Sequence, residues 1–85
     1  MTWGLAITSS AKRQLRRVPL PDRAEIMRTF SLMSDDPFQG DVKFLRGLGG
    51  ALRRRVGSWR ILFELSRENK VIIVTAIKRR GSNTY

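Results

Sequence analysis

The feature that most constrains the fold is a change of hydrophobic period along the chain. Up to about residue 34 the apolar residues recur at helical spacing, whereas from about residue 51 they alternate with the period of two that belongs to strands. A strand is also expected at the start, from about Thr2 to Thr8, where Trp3, Leu5 and Ile7 alternate with smaller residues. Ser9 or Ser10 then supplies an N-cap. In the helix that follows, Ala11, Leu15 and Val18 share one face, and Lys12, Arg13, Arg16 and Arg17 take the solvent side. Pro19 ends that helix. Pro21 suits the first position of a second one, with a buried stripe of Ala24, Met27, Phe30 and Met33, flanked by Ile26 and Leu32 and closed by Asp35, Asp36 and Pro37.

Helices joined by so few residues lie antiparallel, and their common apolar face needs a sheet to cover it. Val42 to Leu45 reads as a short extended piece and Gly47 to Gly50 as a loop. Strands follow at Ala51 to Val56, Trp59 to Ser66 and Val71 to Lys78, separated by turns at Gly57-Ser58 and Glu68-Asn69. The expected architecture is α+β, a single domain over residues 1–85 ordered β-α-α-β-β-β. A two-helix hairpin packs on one face of a four-stranded, mainly antiparallel sheet. Leu5, Ile7, Leu15, Met27, Phe30, Ile61, Phe63 and Ile73 are the expected core. The last strand is apolar on both parities, which predicts a central strand covered on both sides.

Chemistry is narrowed by what the chain lacks. Its 85 residues include no cysteine and no histidine, which excludes disulfides, thiol nucleophiles, a serine–histidine triad and histidine or thiolate metal sites. Seventeen Lys plus Arg stand against seven Asp plus Glu, a net charge of +10 that favours polyanionic partners, nucleic acid first and acidic proteins second. Residues 51–85 hold +7 of this charge and residues 1–50 only +3. No apolar run approaches the roughly 20 residues of a membrane span, and a soluble, cytoplasmic chain is expected.

Strand parity says where the arginines point. Trp59, Ile61, Phe63 and Leu65 share the face assigned to the core, so Arg60, Leu62 and Glu64 lie on the other, and Arg53 and Arg55 share one face of their own strand. Arg54 falls on the apolar side, which requires either a snorkelling edge residue or a bulge. Guanidinium groups of Arg53, Arg55, Arg60 and Arg80 converging over one surface suit phosphates, because each presents paired N–H donors to two oxygens. A solvated basic face is the alternative on charge and parity alone.

The runs Val42-Lys43-Phe44-Leu45-Arg46-Gly47, Leu52 to Leu65 with its Arg-Arg-Arg-Val-Gly-Ser-Trp-Arg centre, and Ile73 to Arg80 followed by Tyr85 resemble the RelE/ParE toxin superfamily, the RelE-like branch above all. The resemblance spans essentially the whole chain. It implies a toxin of a type II toxin–antitoxin pair, an endoribonuclease that cleaves messenger RNA on the ribosome and so inhibits translation, without cofactor or metal. The ribose 2′-hydroxyl attacks the adjacent phosphate and leaves a 2′,3′-cyclic phosphate and a 5′-hydroxyl. Carried over by position, Arg60, Arg80 and Tyr85 are the implied catalytic residues. Arg60 binds phosphate, Arg80 holds the scissile phosphate or leaving group, and Tyr85 stacks on a base and shuttles a proton. Arg53, Arg55 and Arg79 are the implied phosphate-binding residues.

Arginines stand where RelE prototypes have lysines, and a guanidinium cannot exchange protons near neutral pH, which places proton transfer on Tyr85. The implied partners are a cognate antitoxin, the ribosome and messenger RNA, with operator DNA reached through the antitoxin. Two other readings belong to the same resemblance: a ParE-like inhibitor of DNA gyrase without nuclease activity, and a non-catalytic basic module acting only in the antitoxin complex and in autorepression.

Overall fold

The computed structural model describes residues 2–47 and 49–80. Its elements are β1 (Gly4–Ile7), α1 (Ser9–Arg16), α2 (Leu20–Asp35), β2 (Val42–Phe44), β3 (Leu52–Val56), β4 (Trp59–Ser66) and β5 (Val71–Arg79). The strands form one sheet in the order β1-β5-β4-β3-β2, with β1 parallel to β5 and the remaining pairs antiparallel. The sheet thus has five strands where four are expected. The additional one is the short extended piece, whose Val42, Lys43 and Phe44 pair with Arg54, Arg53 and Leu52 at the sheet edge.

Thr8, and not Ser9 or Ser10, caps α1. Its backbone is extended, and its hydroxyl accepts a hydrogen bond from the Ala11 N–H at 3.2 Å. The short connection to α2 is tied by Arg23, which donates from Nη2 to the carbonyls of Arg16 (2.7 Å) and Val18 (3.1 Å), satisfying groups that the end of α1 leaves open. α2 begins at Leu20, so Pro21 sits one residue further into its first turn than expected. Its buried stripe is Ile26, Phe30 and Met33, joined by Thr29 and Ser34, while Met27 remains 49% exposed and Leu32 46%. Ile26 and Met27 are adjacent and both apolar. The sequence pattern therefore admits two helix faces about 100° apart, and packing selects the one that carries Ile26.

Both helices cover the same side of the sheet. Ala11, Val18, Ile26, Phe30 and Met33 cluster with Leu52, Val56, Ile61, Phe63, Ile72, Val74 and Ile77, and Leu5, Ile7, Leu15, Trp59 and Leu65 pack around them half-buried. The last strand has helices on one side only. Ile73, expected in the core, pairs with Glu64 on the uncovered side.

A β-bulge determines how β5 presents its side chains. Leu62 pairs with Ala76 and Phe63 with Val74, so Thr75 is an extra residue and the inside–outside alternation slips there. Before the slip Ile72 and Val74 face the helices; after it Ile77 does, and Lys78 is turned to the open face. Backbone groups of β5 beyond the end of its pairing with β1 are met from α1 and its cap. The Thr75 carbonyl accepts from the Thr8 hydroxyl at 3.4 Å, and the Ile77 N–H donates to Gln14 Oε1 at 2.7 Å. Replacing Gln14 with leucine orphans that N–H inside the protein and should cost about 1–3 kcal/mol, read as a lower urea midpoint with an unchanged slope.

Candidate functional site

The site is built on the β3–β4 hairpin. Its two-residue turn needs a backbone that glycine provides without strain, and Gly57 takes φ +55 there. The turn fixes the register, so Val56 faces Trp59 and Arg55 faces Arg60. On the next strand pair Arg60 faces Lys78. Directly opposed residues of an antiparallel ladder share a face and lie about 4.5–5.5 Å apart at Cα, so Arg55, Arg60 and Lys78 form a row of three cations across three strands on the face away from the helices. A second row beside it contains Lys43, Arg53, Leu62 and Ala76.

The basic residues are not equivalent. Arg53 is 4% exposed and donates from Nη1 to the Asp41 carboxylate at 3.1 Å and to the Asp41 carbonyl at 3.3 Å. Its charge is held inside the protein against an acid. Arg55 is half-buried, and one of its guanidinium nitrogens lies 3.9 Å from the other Asp41 oxygen. The hydrogen bond from Arg53 holds the Asp41 carboxyl below its ordinary value of 3.8, against an opposing desolvation effect and with further help from the charges of Arg53, Arg55 and Lys43.

A carboxyl whose folded pKa is depressed stabilises the fold fully above its unfolded pKa, and that contribution is lost as pH falls through the lower folded value. Acid titration of stability should therefore show a decline below about pH 3.8 to which Asp41 contributes. Asp41→Asn should remove that part of the decline, as followed by thermal melts across the acid range.

Arg54 lies on the helix side of β3, one strand in from the edge, and snorkels outward. Its Nε donates to the Gln39 carbonyl at 3.2 Å and its Nη1 to the Arg55 carbonyl at 2.8 Å. β3 pairs regularly on both sides, so the alternative of a bulge at Arg54 does not apply. Gly40, at φ +88, leaves room for this guanidinium; a Cβ there would stand 2.5 Å from Nη2.

Arg79 pairs opposite Trp59 and therefore lies on the face opposite Arg60, with its guanidinium 5.0 Å from the Trp59 ring centroid. The Trp59 indole in turn donates from Nε1 to Asp22 of α2 at 2.9 Å. This chain of contacts fastens the start of β4 to the first turn of α2 and so fixes the backbone from which Arg60 projects. Arg80 stands at the β3–β4 turn, its Nη1 donating to the Gly57 carbonyl at 3.0 Å and its backbone N–H to the Ser58 carbonyl at 2.6 Å. Tyr85 lies outside the described residues.

The structure thus brings Arg55, Arg60 and Arg80 to one end of the sheet, places Arg53 beside them in an ion pair, and sends Arg79 to the other face. Sequence reasoning missed Lys78 and Asp41. Simple alternation from Ile72 and Val74 would point Lys78 inward, and only the ladder pairing reveals the slip. Asp41 precedes a three-residue strand, and its partnership with Arg53 depends on that strand joining the sheet.

Concave regions of about 500 Å³, between α2 and Arg54, and of about 220 Å³, near Phe44 and Leu65, lie away from the cation row. The row itself runs across three strands. Among the described residues no acidic cluster could hold a metal ion, and no helix is long and apolar enough to cross a membrane.

No protein-family model and no curated protein matches the chain. Solved structures do. The toxin–antitoxin complex RelBE2 from Mycobacterium tuberculosis superposes with a TM-score of 0.85 at 24% identity, covering 94% of this chain and 100% of that one. An archaeal RelE–RelB complex from Pyrococcus horikoshii gives 0.82 at 24% identity, covering 95% and 98%. A YoeB/ParE toxin from Agrobacterium tumefaciens gives 0.77 at 19% identity, covering 91% and 98%. Over nearly its whole length, the chain has the fold of the RelE/ParE toxins.

Proposed function

We propose that the chain is the toxin of a type II toxin–antitoxin pair and a ribosome-dependent endoribonuclease that needs no metal. The observation that supports this reading is the pairing of Arg55 with Arg60 on the open sheet face beside the β3–β4 turn, to which Arg80 is hydrogen-bonded, on a RelE-type fold. In the proposed reaction the 2′-oxygen forms a bond to phosphorus and the bond from phosphorus to the 5′-oxygen breaks. The 2′-hydroxyl loses its proton and the departing oxygen gains one. Arg60 and Arg55 hold the phosphoryl oxygens as negative charge builds on them, Arg80 holds the scissile phosphate or leaving group, and Tyr85 is assigned the proton transfer. Arg53, locked against Asp41, supports the strand from which Arg55 projects.

With fixed positive charge and few groups able to exchange protons, the site depends on electrostatics and positioning, so the ribosome must hold the 2′-hydroxyl in line. A cognate antitoxin is the second part of the proposal. An acidic, amphipathic segment would neutralise this +10 chain and cover exposed apolar side chains such as Leu20 and Met27.

The test is brief induction in growing bacteria with mapping of RNA 5′ ends. Cuts within translated messages, carrying 5′-hydroxyl ends and persisting when translation extracts are prepared with a controlled magnesium level, are expected. Intact messages together with loss of DNA gyrase activity would replace this reading with the ParE-like one.

A further inference from the structure

We propose that Lys78 completes, with Arg55 and Arg60, a three-cation track that binds the phosphodiester backbone of single-stranded RNA across the strands of the open face. The inference deepens the nuclease reading and rests on it for the identity of the polyanion. Three observations on the molecule lead to it.

The first is the register. Arg60 faces Arg55 on one side and Lys78 on the other, so the three cations are nearest cross-strand neighbours. Asp41 lies 3.9 Å from Arg55 at one end of the row, and Lys78 adds a further positive charge beside Arg60 at the other, so the row as a whole is cationic and attracts an anion. The second is the bulge at Thr75. The Thr75 carbonyl and the Ile77 N–H on either side of the slip are hydrogen-bonded to Thr8 and Gln14, so the stretch that turns Lys78 outward is anchored in the fold, and bulges commonly re-aim a side chain in this way. The third is the fate of the neighbouring basic residues. Arg53 is buried against Asp41 and Arg79 stacks on Trp59 on the other face, which leaves Lys78 as the cation that extends the Arg55–Arg60 pair along the ladder.

An ammonium and a guanidinium also differ in what they do at a phosphate. Arginine engages two oxygens in a fixed plane, whereas lysine acts as a mobile point charge. Lys78 is therefore placed as a backbone-holding cation next to the group that orients the phosphate.

The experiment measures binding of the full chain to a single-stranded, 2′-O-methylated RNA oligonucleotide, which cannot be cut by 2′-hydroxyl attack, over a range of KCl concentrations. Each phosphate contact to a single strand contributes about 0.7 to the slope of log K against log salt. Lys78→Ala should reduce the slope magnitude by about 0.7, and Lys78→Arg should restore it. Arg13→Ala, which removes the same unit of charge from α1, should leave the slope unchanged. Without RNA, Lys78→Gln should raise the melting temperature slightly, because a like-charge contact is relieved.

A slope unaffected by Lys78→Ala, or reduced equally by Arg13→Ala, overturns the track. Ribosomal cleavage is scored separately. Slopes as expected with no message cleavage would leave the track standing and remove the nuclease reading. Cleavage by the parent with a slope indifferent to Lys78 would do the reverse.

Discussion

Replacing Arg60 with alanine should lower the rate of message cleavage on ribosomes by about 10²-fold or more while leaving the far-UV circular dichroism unchanged. The magnitude follows from the role proposed for Arg60: losing a preorganised donor to developing charge costs about 10²–10³ in rate in other enzymes. Preorganisation is visible in the strand that carries it. Arg60 lies between Trp59, hydrogen-bonded to Asp22 and stacked with Arg79, and Ile61, which is fully buried. The backbone at Arg60 is thereby held on both sides, a fixed footing for the role proposed for its guanidinium. Arg60→Lys keeps the charge and loses the planar fork, so its rate should fall between those of the parent and the alanine variant. A single-turnover assay on programmed ribosomes reads the difference. Equal rates for parent and alanine variant would remove Arg60 from the reaction.

The placement of Arg60 was legible because β4 is an alternating strand bounded by a recognisable turn. Its span, Trp59–Ser66, and the opposite faces of Arg60 and Ile61 follow from the period of two and from Gly57-Ser58 alone. β5 offers no such contrast. Its residues are apolar on both parities, so nothing in the pattern marks Thr75 as the place where alternation slips, and the outward turn of Lys78 becomes visible only in the pairing with β4.

The ion pair of Asp41 and Arg53 was hidden for a different reason. A three-residue edge strand carries too few residues to show a period, yet its pairing is what brings Asp41 over β3. Arg54 falls between these cases: its parity was readable, and its snorkelling geometry depends on Gly40, which the sequence gives no reason to single out. Local pattern therefore specified the elements and most faces, while side-chain partnerships came from contacts between segments distant in sequence.

The core between α2 and the sheet supplies the second large effect. Phe63 is fully buried beside the bulge, flanked in the ladder by Leu52 and Val74, and belongs to the cluster that includes Phe30 and Met33. Phe63→Ala should cost about 3–5 kcal/mol, from lost burial and from the cavity it leaves. A domain of this size, at roughly 0.05–0.15 kcal/mol per residue, has only about 4–13 kcal/mol in all. The variant should therefore lose a large share of its stability, with its near-UV signal from Trp3 and Trp59 lost at a markedly lower urea concentration than in the parent.

Met27→Ala removes a side chain of similar reach from the neighbouring α2 face. Because Met27 is half exposed, the expected change is within about 0.5 kcal/mol. Met33→Ala, at a fully buried position on the same helix, should cost about 2–5 kcal/mol. Urea melts of the three variants thus test the rotation of α2 directly. A large loss at Met27 with little at Met33 would mean that the helix presents its other apolar face to the sheet. The core around Phe63, and with it the rigid footing of the arginine row, would then be arranged differently.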